Sequence, residues 1–313
     1  MAYSSGGTIE ASDYNGFAGG TAANVSGQLN TVLSTGRGNA GYGQTAVSNV
    51  TAVTNDVTAT QWTTLINGVD RVRKHQSGVG YSNLTAYTSG QTINVTNDIS
   101  AALTTAYTSR LTATSQGTTV TGATNSPNFT LVNGLAGTTF RFSRTATFSS
   151  GDAARYFFNA GGQLNFVIIS VANNDGTTRS ASLVTLAATN FASKRLGAQD
   201  CVARTGTGGT LNVDGTTNTG YYTLTASNVA KTTITSTTAT YTSDTFSLVA
   251  KSNGVQGSNA DAGSVVTLSV DLTSATQTGG FNDSINITVN HRVDIIYPSS
   301  TFLANTWGAV TIA

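Results

Sequence analysis

The sequence predicts an α+β, mainly β fold: a partly helical N-terminal region followed by an antiparallel β-sandwich-like region. Three observations predict it. Apolar residues follow a helical spacing mainly in the first third of the chain. Beyond Pro127 a two-residue period takes over. The composition is rich in Thr, a β-branched residue that suits strands, and its 34 Gly against 2 Pro leave the turns to Gly, Asn and Asp. The expected organisation is residues 1–115 as an N-terminal attachment region, 116–126 as a Thr/Ser/Gly-rich linker and 127–313 as the β-rich region.

The clearest helix is expected over Ala59 to Gln76. Thr58 and Gln61 fit a capping box, in which each side chain satisfies a free amide of the first turn. Trp62, Leu65, Ile66, Val69 and Val72 form one apolar stripe. Arg71, Arg73, Lys74 and His75 place positive charge near the C-terminus, where it complements the helix dipole, and Gly78 marks the stop. A weaker helix is expected through Asp13 to Leu33, diluted by Gly16, Gly19, Gly20 and Gly27. A third begins near Asn97-Asp98, with Ile99, Leu103, Ala106, Tyr107 and Arg110 on one side. Gly36 to Gln44 reads as a loop.

In the β-rich region, Phe140, Phe142, Ala146 and Phe148 alternate with polar residues. Gly151 to Ser170 (GDAARYFFNAGGQLNFVIIS) reads as a β-hairpin turning at Gly161-Gly162, with both arms apolar on both faces. Such arms need two covers, so Phe157, Val167 and Ile169 are expected to meet a second interface. Ser182 to Arg195 is expected as an inserted helix, and strands follow at Tyr221–Thr225 and Phe246–Ala250. Val266, Leu268, Val270 and Leu272 form one buried row; Ile285, Ile287, Val289, His291, Val293 and Ile295 form another.

Composition narrows the function classes. Charged residues make only 9% of the chain and the net charge is +1, so no basic field exists to hold a nucleic-acid backbone. A surface with so few charges suits a permanent assembly, since little like-charge repulsion keeps copies apart. No apolar run has the length of a membrane span, and the first residues lack the basic and apolar segments of a signal peptide, so synthesis in the cytoplasm is expected.

Catalytic and metal signals are weak. Cys201 is alone, and the two histidines, His75 and His291, lie far apart in the chain. His291 is expected as a hydrogen-bonded core or interface residue. Asp152, Asp175, Asp200, Asp214 and Asp244 read as turn residues, and Gly36 to Gly43 lacks the Lys of a phosphate-binding loop. No catalytic residue, cofactor or metal ligand is expected.

An ordered series of segments carries a resemblance: Ile9 to Asn15, Gly41-Tyr42-Gly43-Gln44, Gln61-Trp62 with Leu65, His75-Gln76, Ala153 to Gly162, Val249-Ala250-Lys251 and Val265 to Leu272. Together they resemble virion structural, tail-fibre-like proteins of tailed phages that infect cyanobacteria. The resemblance implies a non-enzymatic virion component, made in the host cytoplasm, that assembles with other virion proteins and with copies of itself, as a trimer by analogy with fibres. Tyr42 and Trp62 join Phe157, Val167 and Ile169 as candidate interface residues. Two alternatives stay open. One is a module recognising host surface glycans through Tyr221, Tyr222 and Trp307. The other is a capsid or neck decoration protein.

Overall fold

A computed structural model describes residues 10–51, 57–89, 91, 96–131, 137–191, 193–198, 220–236, 238, 240–254, 263–274 and 283–313. Helix α3 (Ala59–Ser77) matches the strongest expectation. Thr58 and Gln61 form the reciprocal capping box, and Gly78 ends the helix in the left-handed conformation at φ 79°. The weaker helix is instead two short ones, α1 (Ala11–Ala18) and α2 (Leu29–Leu33). Gly19 turns at φ 73° and Gly27 at φ 84°, values a helix cannot contain. Helix α4 (Thr96–Thr108) packs against α2 and α3. Leu29, Leu33, Trp62, Leu65, Val69, Ile99 and Leu103 are all buried among these helices.

The β-rich region is two antiparallel sheets. The first contains β1 (Gln116–Val120), β2 (Asn128–Leu131), β4 (Gln163–Asn173), β5 (Ser193–Leu196) and β9 (Ile285–Pro298). Its order is β1-β9-β4-β5, with β2 also paired to β9. The second contains β3 (Thr138–Thr147), β6 (Val229–Thr235), β7 (Thr245–Ser252), β8 (Val265–Ser274) and β10 (Thr311–Ile312), ordered β10-β3-β8-β7-β6. The rows read from the sequence on β8 and β9 are buried as expected. Rings from both sheets meet between them: Phe142 lies 6.0 Å from Phe166 and 6.3 Å from Phe246.

Four expectations are corrected. The first arm of the hairpin is a helix, α5 (Gly151–Asn159). Ser150 accepts a hydrogen bond from the Ala153 amide as its N-cap, Asp152 pairs with Arg155 one turn on, and Gly161 at φ 101° follows its end. The inserted helix starts earlier, as α6 (Thr178–Val184), runs into a π-helical turn over Thr185–Phe191, and gives way to β5. Tyr221–Thr223 is a 3₁₀ turn, not a strand. The expected linker carries structure: Gln116–Val120 is β1, and Asn125 exchanges backbone hydrogen bonds of 2.8 and 2.9 Å with His291.

Helix α5 ties the helical and β regions together. The Arg155 guanidinium is 1% exposed. It donates to the carbonyls of Thr35 (3.2 Å), Gly38 (3.1 Å) and Ala40 (3.1 Å), and Asn159 donates to Gly41 at 3.0 Å. The Gly-rich loop therefore turns carbonyls inward around a cation, the opposite polarity from a phosphate cradle. Its tight course needs glycine: a Cβ on Gly41 would lie 2.1 Å from the Thr35 carbonyl oxygen. Gln44 adds a second tie, donating to the Ala304 carbonyl at 2.9 Å and accepting from its amide at 2.7 Å. The helices and both sheets share one buried cluster.

Candidate interaction surface

The outer face of the second sheet is built by register. Cross-strand neighbours place Thr139, Thr273, Thr245 and Thr235 in one row across β3, β8, β7 and β6. The next row is Arg141, Asp271, Ser247 and Thr233. The alternation that buries Phe142, Leu268, Val270, Leu272, Phe246 and Leu248 turns these residues outward.

Neighbouring hydroxyls on this face bond to one another. The Thr139–Thr273, Ser143–Ser269 and Thr233–Ser247 pairs are 2.9, 2.8 and 2.8 Å apart, and Thr145–Thr267 is 3.5 Å. The one ion pair among them, Arg141 to Asp271, is a two-pronged contact with both bonds at 2.6 Å. A partner that covers such a face strips little water from unpaired groups, because many polar atoms already have partners. The side chains are short, so ordering them costs little rotamer entropy.

The residues singled out from the sequence lie elsewhere. Phe157 is fully buried, packed against Phe148, Phe158 and Tyr297 at 5.2, 5.1 and 5.9 Å. Tyr42 and Trp62 are buried as well: Tyr42 donates to the Arg110 carbonyl at 2.8 Å, and Trp62 meets Tyr14 edge-on at 5.5 Å. These three serve this chain's own core, which corrects their expectation as interface residues. On β4, Val167 is half-buried and Ile169 is 43% exposed. Ile169 sits at the register shift between Ile168 and Ser170, where the extra residue of a bulge is pushed out of the ladder.

Of the glycan candidates, Tyr221 and Trp307 are corrected in the same way, whereas Tyr222 is half-buried. Tyr221 is buried, stacked on Phe158 at 4.2 Å, and its hydroxyl donates to the Gly263 carbonyl. Burial pushes its pKa far up. The Tyr222 hydroxyl is held 2.7 Å from Asn159 Oδ1 and 3.1 Å from the Gly38 carbonyl. Trp307 lines a cleft of about 640 Å³ with Gln116, Thr118, Tyr297 and Asn305, yet is only 1% exposed. No sugar ring could lie flat on a face so enclosed.

His291 is a core residue, as expected. Its ring stacks on Phe166 at 5.4 Å and lies 4.5 Å from Phe142, and Nδ1 is 3.3 Å from the Val289 carbonyl. Desolvation holds its pKa below 6.5, with Arg144 adding a repulsive charge. The neutral ring therefore stabilises the fold fully above pH 6.5, and this contribution is lost as pH falls through its lowered folded value, because the unfolded chain takes the proton first. Urea unfolding from pH 7.5 to pH 5 should show stability falling with acidification, and His291→Phe should flatten that slope. An unchanged slope in the variant would contradict this assignment.

Among the described residues no group of three His, Cys, Asp or Glu side chains comes together to hold a metal. No helix there is long and apolar enough to cross a membrane. Asp175 caps a turn through Thr177, and Asp152 and Asp271 sit in ion pairs. Asp244 is buried next to β7. Asp200, Cys201 and Asp214 lie outside the described residues.

The hydroxyl face gives a sequence signal only in hindsight. Thr267, Ser269, Asp271 and Thr273 alternate visibly, but their partners on β3, β6 and β7 come from distant segments. Compared with protein-family models, curated proteins and solved structures, the chain finds no match.

Proposed function

We propose that this chain is a non-enzymatic virion structural protein, a tail- or fibre-associated component that acts through subunit assembly. The observation that supports it best is the outer face of the second sheet: short, mutually bonded hydroxyls in register across four strands, with one internally neutralised ion pair. The low charge of the whole chain supports the same reading, as does the resemblance of its ordered segments to phage virion proteins. The occupant assigned to the face is a second copy of the chain.

The reading predicts an oligomer. Light scattering behind size exclusion should give a multiple of the 32.0 kDa chain mass. Thr139→Lys with Thr235→Lys puts like charges at the two ends of the threonine row, on exposed positions. The double variant should run as a monomer with its melting temperature nearly unchanged. A wild-type monomer, or an oligomer indifferent to both charges, would count against assembly through this face. Cryo-electron microscopy of intact particles would test the virion assignment itself.

A further inference from the structure

Among the described residues, Arg71, Arg144 and Arg179 each have a buried Nε that makes no hydrogen bond, but Arg144 and Arg179 make other hydrogen bonds through their terminal nitrogens. Arg141, Arg155 and Arg292 pair with carboxylates, and Lys74 pairs with Asp70 one turn away on α3. Arg110 holds Asn39 and lies over the Tyr107 ring. Arg71 makes no hydrogen bond or ion pair to any described residue, and its Nε is buried without a partner. A buried donor on a charged group is costly to leave unmade.

That guanidinium lines a cleft of about 330 Å³ between α3 and the stretch that follows the Gly-rich loop. One wall is apolar, from Leu33 and Val47. Gly68 belongs to the same wall, and a Cβ there would lie 2.7 Å from Leu29 Cδ2. Thr45 and Asn67 supply polar side chains with no hydrogen bond to the described residues. Thr64 also borders it, but its hydroxyl donates to the Thr60 carbonyl at 2.8 Å. Thr64, Asn67 and Arg71 follow one another at helical spacing, so one face of α3 presents them together. The cleft has the size of a small-ligand site, and among its lining residues only Arg71 is charged.

We propose that this cleft is a binding site for a carboxylate with a short aliphatic stem. The two terminal nitrogens of the guanidinium, which the buried Nε holds in plane, form a fork that matches the two carboxylate oxygens. Thr45 and Asn67 donate to the outer oxygen lone pairs, and the stem rests on Leu33 and Val47. One positive charge answers one negative charge, so a monoanion fits better than a phosphate dianion. Two sources share this chemistry: a free aliphatic acid, and an acidic side chain of another protein.

The test is nuclear magnetic resonance of the full chain, following the arginine Nε–H signals, with the Arg71 signal identified by its loss in Arg71→Gln. Sodium butyrate should move that signal saturably, with half-effect at about 1 mM, the affinity of a small weakly held anion. Equal ionic strength of sodium chloride should leave it in place. Asn67→Leu, at an exposed position, should weaken butyrate several-fold while retaining the arginine. In Arg71→Gln, butyrate binding read from neighbouring amides should fall about tenfold or more. A short glutamate-containing peptide amide that binds more tightly than butyrate assigns the site to a protein side chain; the reverse order assigns it to a free acid. No saturable shift with either carboxylate, stronger binding of inorganic phosphate, or equal shifts in Arg71→Gln would overturn the proposal.

Discussion

Arg155→Ala is expected to cost about 3–5 kcal/mol of stability, the range for removing one partner of a buried charged network. The carbonyls of Thr35 and Ala40 lose the guanidinium donor together in a place water does not reach freely, while that of Gly38 keeps the Tyr222 hydroxyl within reach. Asp152 suffers less, since its side chain is 37% exposed and can be hydrated instead. In a domain of this size the loss corresponds to a fall in melting temperature on the order of 10 °C. Arg155→Lys keeps the charge but cannot reach three carbonyls in a fork, so it should fall between the two. Thermal unfolding followed by circular dichroism measures all three. A fall of only a degree or two for Arg155→Ala would mean that the loop from Thr35 to Gly41 holds its course by itself.

The second large effect is expected at Phe157. Deleting its ring should cost about 3–5 kcal/mol, through lost burial and through the cavity left behind. Three rings surround it, and the turn behind it is closed: a Cβ on Gly162 would lie 2.6 Å from the Phe157 ring. Denaturant unfolding of Phe157→Ala should show the loss at every protein concentration. A residue at a subunit contact would behave differently, because its stability contribution would depend on protein concentration. A concentration-dependent effect of Phe157→Ala, with the dilute protein unaffected, would restore the interface expectation that the fold corrects.

Local signals were legible where one residue period dominated. The α3 cap, its apolar stripe and its glycine stop all act within a few residues of one another, so neighbouring side chains reveal them. The rows on β8 and β9 were legible because a strand buried on one face must alternate. The segment from Gly151 to Asn159 was not, since short runs of aromatic and small residues satisfy either period. Asp152 and Arg155 at helical spacing, after Ser150, were the available sign.

Composition and periodicity alone thus determined the class of the fold, the main helix and which residues of β8 and β9 face inward. They also determined that the chain would carry few surface charges. Only the tertiary structure decided that Gly151–Asn159 is a helix, that Tyr42, Trp62, Phe157, Tyr221 and Trp307 are core, and that threonines from four strands stand in one row. The physical reason is range. A helix cap or an alternating strand is a contract between near neighbours, whereas Arg155 meets its carbonyls across more than a hundred residues of chain. Arg71, read from the sequence as one more positive charge at a helix end, becomes distinctive only when folding surrounds it with groups that leave its guanidinium unanswered.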